Sequence, residues 1–355
     1  VRSEWGIVLA GTFAVLNGFF LTRIPNPLNI ISVGTVALIT GILMRVAQGR
    51  TVPTPIAGFA FLPISFLAFN PPMFVVATLW TAVAAPLVMI ALYGRKAIWR
   101  LVKWYVLAAP WVILLNVWWL IPFLQVYTGG GGAQSNATFT DPTNWTWSQV
   151  NNQVPNVLTL SANWAWYLPQ YLPFAADLDQ PFWIWTRYLL PVLVFAAPLA
   201  ALAARRRIAM VLLGLAGVFV FLAKGLMAPL ASVNLFLYLH VPMFWLFREP
   251  MSKLGQLLVT FFGVLLAILV EGVIQRWRDH PPAPSWWPGR LLRPATLALV
   301  GTAIASILVV ASPYPVATGG VIPDQRPMQP SAHVRVPQYW WDTAAAINSD
   351  PSPGK

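Results

Sequence analysis

The sequence predicts an all-α polytopic membrane protein of about nine transmembrane helices, with a long non-cytoplasmic loop and a partly re-entrant outer loop. Three observations lead there. Hydrophobic residues make up 58% of the 355 and charged residues 9%, whereas a soluble domain carries about 25% charge. Apolar runs near 20 residues recur along the chain, the length that crosses a hydrocarbon core of about 30 Å. Lys and Arg gather in alternate short connections, the signature of a fixed orientation across a bilayer.

The runs fall at 5–21, 28–44, 55–69, 74–92, 103–127, 183–204, 208–223, 254–274 and 295–311. The third and seventh are short. Pro53, Pro55 and Pro63 make the third a candidate for a broken or re-entrant segment, because proline removes a helix donor. Asn116 lies well inside the fifth, where a lone amide is expected to bond another helix. Glu271 nears the cytoplasmic end of the eighth and is expected to reach the interface.

Arg2, Arg45, Arg50, Arg95, Lys96, Arg100, Lys103, Arg205, Arg206, Arg207, Arg276, Arg278, Arg290 and Arg293 are fourteen of the 22 basic residues. A nine-helix count puts all of them on one side, and that side is the cytoplasm. The formal charge of +12 therefore reads as topology and attraction to anionic head groups, with no nucleic-acid partner. The chain has no cysteine, which excludes disulfides and thiolate metal sites. Its three histidines, His240, His280 and His333, offer no His-rich metal site. Val1 opens the chain and polar sequence closes it, so the expectation is a fragment of a longer protein.

The membrane part is expected over 1–311, with outer loops at 128–182 and 224–253. Residues 312–355 read as an exported linker, Pro-rich at first and amphipathic over 339–347, leading to a further domain. The long loop opens with four glycines, 129–132, that have no Lys-Ser/Thr after them and so make a hinge rather than a phosphate cradle. It then carries Trp145, Trp147, Trp164, Trp166 and Tyr167. Aromatic rings stack on the C–H faces of sugars, and they also favour the head-group layer. Both readings stand for this cluster.

The stretch from Leu239 to Lys253 places Arg248, Glu249 and Lys253 beside the outer membrane surface, after an aromatic run. Ionisable groups at that depth are costly and usually serve a partner. The planar fork of Arg248 suits a phosphate. Lys253 adds a point charge, His240 a donor, and Lys224 joins from the start of the same loop. The alternatives are a local Arg248–Glu249 pair and snorkelling to head groups. Asp177, Asp179 and Glu249 are the carboxylates available as a catalytic base.

Three stretches then carry a resemblance: Leu16-Asn17-Gly18-Phe19-Phe20-Leu21 with Asn29-Ile30-Ile31-Ser32; Asn116-Val117-Trp118-Trp119-Leu120-Ile121-Pro122 with Pro155-Asn156-Val157-Leu158 and Trp164; and Phe247-Arg248-Glu249-Pro250 with Lys253. Together they resemble the integral-membrane glycosyltransferases of the GT-C type, most closely the actinobacterial α-(1→3)-arabinofuranosyltransferases. The tail Val336-Pro337-Gln338-Tyr339-Trp340-Trp341 is similar to the join to the exported part of those proteins.

The resemblance implies transfer of a sugar, arabinofuranose by that likeness, from a polyprenyl-phosphate donor to a cell-wall polysaccharide acceptor outside the bacterial cytoplasmic membrane. A divalent cation could assist at the phosphate, but the sequence holds no cage for one. Such enzymes usually carry a catalytic carboxylate in the first outer loop. Here the connection 21–28 has no Asp or Glu, so the base is expected upstream of Val1. Two other classes remain open: a transporter or flippase for a lipid-linked sugar, marked by mid-helix charges or a repeat, and a non-catalytic envelope scaffold.

Overall fold

A computed structural model describes residues 3–21, 27–67, 71–128, 141–142, 145–162, 181–241, 244–279, 294–311 and 338–349. Among these, every regular element is a helix and none is a strand. Four helices are long and apolar enough to cross a membrane: Met73–Tyr93, Arg95–Trp119, Ala203–Ala223 and Pro250–Asp279. Five shorter apolar helices accompany them: Glu4–Val15, Ile31–Ala47, Pro55–Ile64, Trp185–Ala200 and Thr296–Ala311.

The chain begins with α1 (Glu4–Val15), whose first turn is capped by the Ser3 hydroxyl accepting from the Gly6 N–H. It breaks at Asn17, whose side-chain amide donates to the Phe13 and Ala14 carbonyls at 2.8 and 3.2 Å. The short α2 (Gly18–Leu21) follows, then α3 (Pro27–Ala47) and α4 (Pro55–Leu67). The expected break in the third segment does not occur: α4 runs through Pro63 to Leu67. One proline removes a single backbone donor, and the packing of α4 on α3 and α7 holds the rest of the helix.

The next rod is α5 (Pro71–Leu79), a π-helical turn (Trp80–Ala84) and α6 (Ala85–Tyr93). Gly94, at φ +76°, a value that favours glycine, turns the chain directly into α7 (Arg95–Thr128). Beyond the long loop come α8 (Val154–Leu158), α9 (Pro181–Ala200), α10 (Ala203–Ala223), α11 (Ala231–His240), α12 (Pro250–Asp279), α13 (Pro294–Ala311) and α14 (Gln338–Ser349).

The bundle is organised around α12. It packs against α1, α3, α5, α9, α10 and α13, and most of its residues from Pro250 to Val273 are buried. Gly272 lies against the end of α9, where any Cβ would meet the Ala200 carbonyl, and Gly255 lies under the Phe19 ring. Large apolar side chains such as Trp99, Leu114 and Ile307 instead face outward. Outward apolar side chains in this number suit lipid rather than water.

One end of the bundle is gathered by arginines that reach the last carbonyls of neighbouring helices. Arg100 donates to Ala47 at the end of α3 at 2.9 Å, Arg207 to Ala91 near the end of α6 at 2.6 Å, and Arg276 to Leu199 near the end of α9 at 2.6 Å. A helix leaves its final carbonyls without intrahelical donors, and a guanidinium satisfies them while complementing the negative end of the helix dipole. Trp104 donates to Val52, and Gln48 to Tyr93, at the same end. Arg205 faces Glu271 at 4.0 Å at this end, and Glu271 is buried.

Candidate functional site

At the end of the bundle away from the arginines, residues 145–162 meet residues 224–253. The first stretch holds a 3-10 turn (Thr146–Gln149) and α8, with Pro155 at an early helical position where no N–H is required. The second leaves α10 at Lys224 and turns at Gly225, where φ is +59°. It then runs through α11 and a 3-10 turn (Phe244–Phe247) into α12.

Side-chain amides and hydroxyls join the two. Gln149 Nε2 donates to the Arg248 carbonyl at 2.8 Å, and the single Ser148 O–H is shared between that carbonyl at 3.1 Å and the Trp145 carbonyl at 2.8 Å. Gln149 Oε1 accepts from the Leu226 N–H at 2.7 Å, and Asn152 Nδ2 donates to the Ala223 carbonyl at 3.0 Å. Tyr238 Oη donates to the Phe247 carbonyl at 3.0 Å. Burial pushes the Tyr238 hydroxyl above the ordinary tyrosine value, with the Gln149 hydrogen bond opposing, so the hydroxyl is held neutral and available as a donor. Ser148, Gln149, Asn152, Asn234 and Tyr238 are all buried. Buried polar groups persist where they are paired, and here the partners are backbone groups at the end of α10, in the turn after it and around the 3-10 turn before α12.

The aromatic residues divide. Trp145 is 4% exposed and meets Tyr238 edge-on, with ring centroids 4.8 Å apart. It belongs to the packed interior of the loop. Trp147 is 53% exposed and presents its ring outward. Trp164, Trp166, Tyr167, Asp177 and Asp179 lie outside the described residues.

The cations divide as well. Lys224 is fully buried, and its Nζ donates to the Gly225 and Met227 carbonyls at 3.3 and 2.9 Å and lies 4.5 Å from the Phe221 ring centre. It therefore faces inward, away from the surface expected for a phosphate contact. Desolvation holds its pKa below the ordinary lysine value. Arg248 is partly exposed, between the 3-10 turn and α12. Lys253 sits in the first turn of α12 and pairs with Glu249 at 3.7 Å, one helical turn earlier. His240, at the end of α11, is exposed and stacks on Phe236 with ring centres 4.4 Å apart. Among the described residues, no three His, Asp or Glu side chains converge as a metal site would need.

Comparison of the chain with protein-family models, with curated proteins and with solved structures finds no match.

The structure assigns parts to residues that sequence reasoning passed over. Gln149, Asn152 and Tyr238 carry the joint between the two stretches, and Asn234 braces the second stretch by donating to the Phe221 and Gly225 carbonyls, yet none is charged or aromatic-clustered enough to stand out. The available signal was the amide-rich run Ser148-Gln149-Val150-Asn151-Asn152-Gln153, dense in groups that bond stray carbonyls. Asn116, expected to bond another helix, serves its own: Nδ2 donates to the Val112 carbonyl and Oδ1 accepts from Trp119 Nε1. The i−4 and i+3 positions lie on its own helix face, within immediate reach.

Proposed function

We propose that this chain is the membrane part of a glycosyltransferase that moves a sugar, arabinofuranose by the resemblance, from a polyprenyl-phosphate donor to a cell-envelope glycan. In this reading the four long apolar helices and the five shorter ones are nine spans. The arginine-capped end faces the cytoplasm, and the joined stretches 145–162 and 224–253 face the exported side. Helix α11 then lies in the interface. Its Asn234 and Tyr238 side chains turn inward one helical turn apart, and Phe236 and Leu239 remain exposed to lipid.

The observation that carries the reading is the pair of hydrogen bonds from Ser148 and Gln149 to the Arg248 carbonyl. They fasten a tryptophan-bearing loop to a cationic segment at the bundle's end, so a sugar platform and a phosphate contact belong to one assembly. Trp147 is its exposed aromatic face, and Arg248 its phosphate contact, with the Lys253 charge offset by its Glu249 pair. Chemically, an acceptor hydroxyl oxygen attacks the anomeric carbon and forms the new C–O bond. The bond from that carbon to the phosphate oxygen breaks, and polyprenyl phosphate leaves with the electron pair. The acceptor proton passes to a carboxylate. Arg248 stabilises the charge that grows on the departing phosphate.

The test is sugar transfer in membranes supplied with labelled polyprenyl-phosphate donor. Arg248→Ala is expected to lower turnover per donor about 100-fold, the scale for losing one preorganised charge contact. Unchanged transfer would remove the phosphate contact and the reading with it. Because the chain has no cysteine, Val150→Cys and Arg206→Cys also test the orientation. A membrane-impermeant maleimide should reach position 150 from outside intact cells and position 206 only after permeabilisation.

A further inference from the structure

We infer that Gln149 is a positioning residue for Arg248, setting the direction of the guanidinium without touching the donor. The inference rests on the glycosyl-transfer reading above and extends it to a residue that carries no charge.

The argument starts from the backbone. Arg248 stands between a 3-10 turn ending at Phe247 and a helix starting at Pro250. The direction of its Cα–Cβ bond is set by the two peptide planes that flank it. Both planes are held by side chains from elsewhere. The Phe247 carbonyl accepts from Tyr238 Oη, and the Arg248 carbonyl accepts from Gln149 Nε2 and Ser148 Oγ. A mobile arginine searches many orientations, and its long side chain holds about 2 kcal/mol of rotamer entropy. Fixing the backbone on both sides removes the part of that search that the chain itself would add.

Gln149 is suited to the task because its own freedom is spent. It is fully buried. Its Oε1 accepts from the Leu226 N–H, so its Nε2 is turned toward the Arg248 carbonyl, with a longer 3.4 Å approach to Tyr238 Oη. Gly225 makes the room: a Cβ at that position would collide with the Gln149 carboxamide. One amide thus bonds the turn after α10 with one end and the Arg248 peptide with the other. A second glutamine ties down the helix that follows. Gln256, also fully buried, accepts from Ser32 Oγ of α3 and donates to the Lys253 carbonyl at 2.8 Å.

The experiment is a double-mutant cycle on the full chain in membranes. Gln149→Met keeps the volume and removes both hydrogen-bonding ends. It is expected to lower kcat three- to tenfold, the range for one lost hydrogen bond, with the donor KM changed less than threefold and the unfolding temperature recorded alongside. In the Arg248→Ala background the same substitution should add almost nothing, because its effect passes through Arg248. Ser148→Ala, which removes only one of the two donors to that carbonyl, supplies a milder variant should Gln149→Met fold poorly; it should shift kcat in the same direction. Multiplicative effects in the double variant would overturn the positioning role while leaving the site reading intact. An unaffected Arg248→Ala enzyme would instead remove the site reading itself.

Discussion

The Tyr105 hydroxyl donates to the Thr81 carbonyl at 2.6 Å, from the first third of α7 to the π-helical turn between α5 and α6. The bond answers a specific vacancy. The Ala85 N–H, which would meet Thr81 in an α-helix, bonds Trp80 five residues back. The next residue, Pro86, has no N–H to offer. An interior carbonyl in an apolar bundle is costly to leave bare. Tyr105→Phe is therefore expected to lower stability by about 1–3 kcal/mol, measured by unfolding in nanodiscs. A variant as stable as the parent would show that water or another donor already serves the turn.

Glycine positions separate tight helix contacts from open ones. Gly272→Ala would push a Cβ into the Ala200 carbonyl oxygen, a backbone atom that cannot rotate aside. The expected loss is about 1–3 kcal/mol or more. On α13, Gly301 has nothing within 4 Å of the added Cβ, and Gly301→Ala should gain about 0.4–1 kcal/mol through the unfolded chain. Thermal unfolding of the two variants side by side checks the close approach of α9 to α12. Equal behaviour would mean that the two helices are further apart.

The two tryptophans should separate stability from acceptor binding. Trp145→Ala removes a buried ring from its contact with Tyr238 and is expected to cost about 3–5 kcal/mol. Trp147→Ala is expected to leave stability within about 0.5 kcal/mol and, under the proposed function, to raise the acceptor KM several-fold. Unfolding curves and transfer kinetics on the same preparations report both. A stable Trp145→Ala variant would contradict the burial of that ring.

Lys224 should give stability a pH dependence. Its folded pKa lies below the ordinary lysine value through burial. Between those two values the unfolded chain holds more protons than the folded one, so stability rises as pH increases across the window. Below the folded value the cost of burying the charge is fully present, and above the ordinary value it is gone. Lys224→Met should flatten this slope at alkaline pH, read from denaturant unfolding at stepped pH. An unchanged slope would assign the dependence to another group.

Much of the candidate site was hidden because its joints are local in space and remote in sequence. Gln149 and the Arg248 carbonyl are 99 residues apart, and nothing about a glutamine in a loop announces which carbonyl it will meet. Arg248, by contrast, stood out as a charge beside an apolar run. The difference between Trp145 and Trp147 was equally unreadable, since neighbouring residues of one type take opposite roles according to what packs on them.

The sequence by itself determined where the helices run and which of their ends carry arginine. Apolar length and the placement of charge are local properties, and the observed helices follow the runs read from them to within a few residues at most ends, with α7 and α12 running further into the flanking charged sequence. Only the tertiary structure decided that α12 occupies the centre, that Lys224 turns inward and that residues 145–162 lock onto the Arg248 segment. The physical reason is that a helix facing lipid and a helix facing other helices are both apolar all round. Hydropathy marks each as a span and leaves its neighbours to packing.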